Sequence, residues 1–243
     1  MPFWPDLSVR SDAPELMDDR AIGGDELVGA LRELRLINRL LGAARPTVEG
    51  VGRLWRAAGR PGKLAVLDVG AGSGDASRAL LRWSDRQGVE IDITLLDIHP
   101  ETCAEAALSF QGEPRVRVRE GDLFALAPRS TDVVTASLVL HHFPEPSLGH
   151  ALQALARAAR LGVVVNDLQR SRIAWAAIRA ATALLSRNRM IRHDAPLSVA
   201  RGFRAADLAA LRRLSGLERL AFAWRPMFRW LAIVPASNGS APA

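Results

Sequence analysis

The chain has 243 residues, 49% hydrophobic and 24% charged, close to the globular average, which excludes disordered, collagenous and coiled-coil classes and suits one domain with an added cap. Its single cysteine, Cys103, excludes an intrachain disulfide and a cysteine-cluster metal site, as expected of a reducing compartment and a cytoplasmic protein. The net charge of +6 would favour nucleic acid as a partner, but of 32 basic residues only Lys63 is a lysine, and the arginines are scattered along helices. Coding bias accounts for that pattern better than a binding patch does.

The start, Met1-Pro2-Phe3-Trp4, shows no basic region followed by an apolar run, so no secretory signal is expected. Helices are predicted over residues 25–41 and 47–58, where apolar residues recur at three- and four-residue spacing. From residue 64 onward, apolar runs of strand length alternate with helical patterns, the sign of a parallel α/β sheet. The first strand is predicted at 64–69, a glycine turn at 70–74 and a helix at 75–83. A second strand at 91–97 leads into a helix starting near Pro100 and Glu101. Residues 115–119 alternate strictly as a third strand, 132–137 and 161–166 form the fourth and fifth, and a helix covers 147–160. An apolar helix at 171–186, a loop carrying His193 and Asp194, and a helix at 205–214 follow, and strand-like runs at 217–224 and 228–234 close the fold. Helix 171–186 contains the most apolar stretch of the chain; Arg179 interrupts it and it is too short for a membrane span, so it is expected to be buried or part of a cap. Residues 236–243 are expected to be a disordered tail.

Glycines at 70, 72 and 74 give G-x-G-x-G, whereas the dinucleotide fingerprint places its third glycine one position later, where Asp75 stands. Glycines let a backbone pass close to a nucleotide-like ligand. Acids at Asp68 and Asp75 disfavour a pyrophosphate at that turn and suit a ligand carrying a cation. Asp97, ending the second strand, is placed to accept from both hydroxyls of a ribose, and Asp122, after the third, from an exocyclic adenine amine.

With these motifs, Leu67-Asp-Val-Gly-Ala-Gly-Ser-Gly74, Leu95-Leu-Asp97, Glu120-Gly-Asp122 and the run from Asp132 through Ser137 to His141, His142 and Phe143, the chain resembles class I S-adenosylmethionine-dependent methyltransferases over roughly residues 60–170. The resemblance implies a doubly wound, mostly parallel seven-stranded sheet, the Rossmann-like methyltransferase fold, at 61–235. An N-terminal helical cap is expected at 1–60 and a substrate-cap insert after strand five at 171–198. It implies S-adenosylmethionine as cofactor, held by Asp68, Gly70, Gly72, Gly74, Asp97, Asp122, Leu123 and Ser137. The His-His pair resembles the branch that methylates small molecules, near quinone-biosynthesis and polyketide-tailoring enzymes.

An imidazole titrates near neutrality and can take a proton from a phenol or hydroxyl as the methyl arrives. His142 is the first candidate base, and His193 beside Asp194 the second. Asn166, Asp167, Gln169 and Arg170 form a polar cluster after strand five that either positions the acceptor or caps the next helix. Leu36, Ile37, Trp175, Ile178 and Met190 suggest walls for a largely apolar acceptor. No metal site is expected. The reading is methylation of a small metabolite, most readily on oxygen of a phenolic or polyketide-like compound. Carbon methylation of a quinone-type ring, an RNA methyltransferase and a non-catalytic cofactor-binding subunit stand as alternatives. Neither nucleic acid nor a membrane span is expected, and the oligomeric state, a homodimer included, is open.

Overall fold

The computed structural model describes residues 5–18 and 24–236; the expected tail beyond Ala236 and the first four residues of the start lie outside them. Seven strands, β1 (Lys63–Val69), β2 (Glu90–Asp97), β3 (Val116–Glu120), β4 (Thr131–Ser137), β5 (Ala159–Leu168), β6 (Ala221–Arg225) and β7 (Arg229–Pro235), form one sheet. Its order is β3-β2-β1-β4-β5-β7-β6. β1 to β5 pair in parallel, and β7 runs antiparallel between β5 and β6. The order reverses between β1 and β4, and in open α/β sheets ligands bind outside the carboxyl ends of the strands at such a point.

Each parallel strand needs a crossover helix, and the apolar stripes of those helices build two cores. On one face α2 (Arg45–Ala57), α3 (Asp75–Gln87) and α4 (Pro100–Ser109) bury Leu54, Leu80 and Ala106 against Ile93, Leu95 and Val164. Trp55 of α2 meets Trp83 of α3 edge to face, with ring centroids 5.5 Å apart. On the other face α5 (Glu145–Ala158) and α8 (Ala205–Leu214) bury Leu152, Leu155 and Leu208 against Val134, Val163 and Ala232.

The first sixty residues are therefore not one cap. α2 belongs to the sheet's own layer, and a Cβ on Gly50 would stand 2.4 Å from Val164 Cγ1. The cap is made instead by α1 (Gly24–Leu40), the segment at 5–18, which ends in a short 3-10 turn at Leu16–Asp18, and α6 (Arg172–Leu185) with α7 (Arg189–Arg201). Leu27 and Leu31 of α1 pack with Met190 and Ile191 of α7, while Leu7 packs with Trp175 and Val199. α7 replaces the loop expected around His193. Asn188 caps it by accepting from the N–H groups of Met190 and Ile191, and burial of Met190, Ile191, Val199 and Ala200 outweighs the lost hydrogen bond at Pro196. Met190 and Trp175, expected as pocket walls, are core residues of these two clusters.

Candidate active site

β1 delivers the chain into a loop whose three glycines all have positive φ, +59° at Gly70, +53° at Gly72 and +74° at Gly74. Their surroundings differ. A Cβ on Gly70 would lie 2.5 Å from Val139, and one on Gly74 would lie 2.4 Å from the Phe110 ring. At Gly72 a Cβ meets nothing within 4 Å, so its backbone borders open space at the switch point. Gly74→Ala is expected to cost about 2–4 kcal/mol, left-handed strain plus overpacking. Gly72→Ala should cost only the strain, about 1–2 kcal/mol, and lose the melting-temperature gain that cofactor gives. Thermal melts with and without cofactor separate the two effects.

The open space at Gly72 is bordered by Asp97 at the end of β2. Its Oδ2 accepts from Gly72 N–H and its Oδ1 from His99 N–H, both at 3.0 Å. Each carboxylate oxygen has a second lone pair, so the fixed group can still accept from two ribose hydroxyls. Asp122 accepts from Phe124 N–H, capping the short turn that buries Leu123. These positions fit the nucleoside half of S-adenosylmethionine.

Three other residues assigned to the cofactor or its charge are engaged elsewhere. Asp68 is buried, and its two oxygens accept from the hydroxyls of Ser77 and Thr135, both at 2.7 Å. Burial pushes its carboxyl up to about 6, against the lowering effect of those hydroxyls. Asp68 thus braces β1 against α3 and β4, setting the height of the loop. Asp75 faces Arg35 of α1 at 3.8 Å; burial raises its carboxyl even so, with Arg35 and Asn38 pulling the other way. Ser137 Oγ lies 2.7 Å from Thr47 Oγ1, so its hydroxyl ties β4 to α2.

The polar cluster after strand five is a set of braces. Asn166 donates to Ala43 O and Thr47 Oγ1, and Gln169 Oε1 accepts from the indole of Trp224. Buried Arg170 donates to the carbonyls of Leu7 and Gly202 and pairs with Asp207 at 3.0 Å. The Ser171 hydroxyl caps α6.

The His-His turn follows β4 and lies against the glycine loop through Val139 and Gly70. His141 is 2% exposed, with Nδ1 2.7 Å from Asp167 Oδ1 and Nε2 3.6 Å from Glu15 Oε1. Burial by itself would lower its pKa, but Asp167 and Glu15 override this and raise it to about 9, so at neutral pH it is an imidazolium. A raised histidine contributes stability that is complete below its unfolded value, roughly 6.5, and lost as pH rises through 9. The melting temperature is therefore expected to fall by roughly 5–10 °C over that window, and His141→Gln should flatten the profile.

His142 stacks on His141, ring centroids 4.2 Å apart. Its Nδ1 is 2.7 Å from Asp18 Oδ1, and its side chain is 30% exposed. Burial would raise the Asp18 carboxyl, but His142 and Arg201 bring it down to about 2. Arg201 donates to Asp18 Oδ2 and to the carbonyls of His141, His142 and Ala13, while Arg10 donates to those of His141, Phe143 and Arg201. The segment at 5–18 is thereby strapped over the turn.

His193 lies on α7 with Nδ1 2.7 Å from Asp194 Oδ1 and is 50% exposed. Asp194 is already committed to the N–H groups of Leu16 and Met17. The fold thus gives each candidate base an acid at the same distance. It does not bring His193 to the glycine loop by any hydrogen bond among the described residues.

Sequence reasoning missed Glu15, Asp18, Arg10 and Arg201, because isolated charges in an irregular N-terminal segment carry no spacing signal. Glu15, His141 and His142 also bring one ligand atom each within 4.8 Å of one another. Arg201 stands 3.9 Å from Glu15 and 3.0 Å from Asp18, so the cluster already contains its compensating positive charge.

Residues 66–162 match the family described as "Methyltransferase domain". A comparison with curated proteins finds no match. Among solved structures, an S-adenosylmethionine-dependent methyltransferase from Aquifex aeolicus superposes with a TM-score of 0.59 at 16% identity, over 88% of this chain and 100% of that one. The magnesium protoporphyrin IX methyltransferase of Synechocystis PCC 6803, with bound S-adenosylhomocysteine, gives 0.55 at 17% identity, over 83% and 87%. The C-methyltransferase domain of the citrinin polyketide synthase gives 0.54 at 16% identity over 72% of this chain; the chain spans about half of that one, 47%. At these identities the likeness is one of fold. With the strand order and the glycine loop against Asp97, the chain carries a methyltransferase domain over residues 66–162 in the Rossmann-like fold of S-adenosylmethionine-dependent methyltransferases.

Proposed function

We propose that the protein methylates a small, largely apolar acceptor, on the oxygen of a phenolic or polyketide-like compound, with His142 as general base and Asp18 as the residue that positions it. The observation supporting this reading is that the turn carrying His142 lies against the glycine loop through Val139, while Asp18 holds His142 Nδ1. With the Asp18 carboxylate 2.7 Å from Nδ1, its charge favours the proton on that nitrogen, and Nε2 is the atom left to accept the acceptor's proton. The cofactor, when bound, supplies a methyl group on a sulfonium, already a strong electrophile. What the chain must add is alignment, exclusion of water and removal of one proton. The cap of α1, α6, α7 and the N-terminal strap supplies the exclusion. A small acceptor also suits the likeness in fold to the magnesium protoporphyrin IX methyltransferase and to the C-methyltransferase domain of the citrinin polyketide synthase.

The test is transfer of labelled methyl from S-adenosylmethionine by the purified full chain to a panel of phenols, polyketide-like compounds and quinols, with product connectivity read by NMR. An O-methyl product is expected. A C-methyl product would replace the acceptor atom, and loss of all transfer would favour a non-catalytic subunit. RNA should bind weakly, without the steep salt dependence of several phosphate contacts; tight, strongly salt-dependent RNA binding would overturn the small-acceptor reading.

A further inference from the structure

We propose that the outward face of α6 docks the protein on an anionic lipid surface. The most apolar stretch of the sequence was expected to be buried or part of a cap, and three of its large residues stand in the open. Ile173 is 69% exposed, Leu184 83% and Leu185 84%, while Ala174, Trp175 and Thr182 turn inward. Ile173, Ala177, Ala180 and Leu184 recur at helical spacing, so the exposed apolar residues form a stripe along one side. An apolar stripe of this kind on a monomer marks a contact surface.

Charge selects the occupant. From Leu168 to His193 the sequence holds no aspartate or glutamate and six arginines. Arg170 is buried among carbonyls and Arg189 is paired with Glu26, but Arg187 and Arg192, at the Leu184–Leu185 end, are exposed. A second copy meeting the same face about a two-fold axis would set arginines against arginines. An apolar stripe rimmed by arginine matches instead a bilayer interface bearing negative headgroups, where acyl chains take the leucines and phosphates the guanidinium groups. No helix among the described residues is long and apolar enough to cross a membrane, so the contact is one of lying on the surface. The inference deepens the proposed function, since an apolar acceptor concentrates in a bilayer, but vesicle binding is measured without any acceptor and fails or succeeds independently of it.

The experiment is co-sedimentation of the full chain with vesicles of phosphatidylcholine alone or with about 30 mol% phosphatidylglycerol, at low and high salt. Partitioning should be at least about tenfold stronger on the anionic vesicles and should weaken with salt. Leu184→Asp with Leu185→Asp should lower it at least about tenfold, and Arg187→Glu with Arg192→Glu similarly, since each arginine near such a surface contributes about fivefold. Both pairs are solvent-exposed, so melting temperature and cofactor affinity should stay at wild-type values. Failure to sediment with anionic vesicles, or equal sedimentation of the variants, overturns the proposal. So does a concentration-dependent dimer that Leu184→Asp abolishes, because a second copy would then be the occupant.

Discussion

His142→Ala is expected to lower turnover by at least about a hundredfold while leaving cofactor affinity nearly unchanged, since general-base contributions are typically 10²- to 10⁴-fold. The fold should survive: Arg201 holds the turn through the backbone carbonyls of His141 and His142, which alanine retains. Asp18→Asn keeps a polar partner at 2.7 Å from Nδ1 but removes the charge. It should lower kcat more than it raises KM, as expected of a group acting through the imidazole rather than on the acceptor. With a phenolic acceptor both defects should shrink at high pH, where the free phenolate needs no base. His193→Ala should stay close to wild type. Near-normal turnover of His142→Ala at neutral pH would remove that residue from the mechanism, and an inactive His193→Ala would move the acceptor site to α7.

Asp97→Ala should weaken S-adenosylmethionine binding by a hundredfold or more. An ionised acceptor contributes about 1.5–3 kcal/mol per hydrogen bond, and two ribose hydroxyls are lost together. The same substitution frees the N–H groups of Gly72 and His99, so the glycine loop loses its tie to β2 as well. Asp97→Asn separates the contributions: one carbonyl oxygen remains and the charge is gone, and an intermediate loss is expected. Titration calorimetry on a variant shown to be folded measures both, and an unchanged affinity for the alanine variant refutes the assignment.

The parallel strands and the glycine loop were legible because their signals are local. β1, β2 and β4 begin and end within a residue of their expected bounds, since a strand buried on both faces must be apolar throughout and a turn with three positive φ angles must be glycine there. The places of Asp97 at the end of β2 and of Asp122 just past β3 were legible for the same reason, as strand ends can be counted. Asp68 and Ser137 stand where they were expected, and their side chains brace the strands beside the loop, hydrogen bonds the sequence does not announce. Which neighbour a side chain meets depends on helices α2 and α3 crossing the strand ends, and strand patterning does not contain that information.

Sequence alone thus determined the sheet, the glycine loop after β1, and the pair of histidines beyond β4. Tertiary structure decided the rest. It moved α2 into the sheet's layer, made a helix around His193 despite Pro196, turned the leucines of α6 outward, and brought Glu15 and Asp18 onto His141 and His142. The physical reason is range. Hydrophobic period and glycine spacing act over a few residues and can be read along the chain. A carboxylate near the start of the chain and an imidazole past its middle are brought to 2.7 Å only when the cap packs on the finished sheet and Arg10 and Arg201 fasten the N-terminal segment over it.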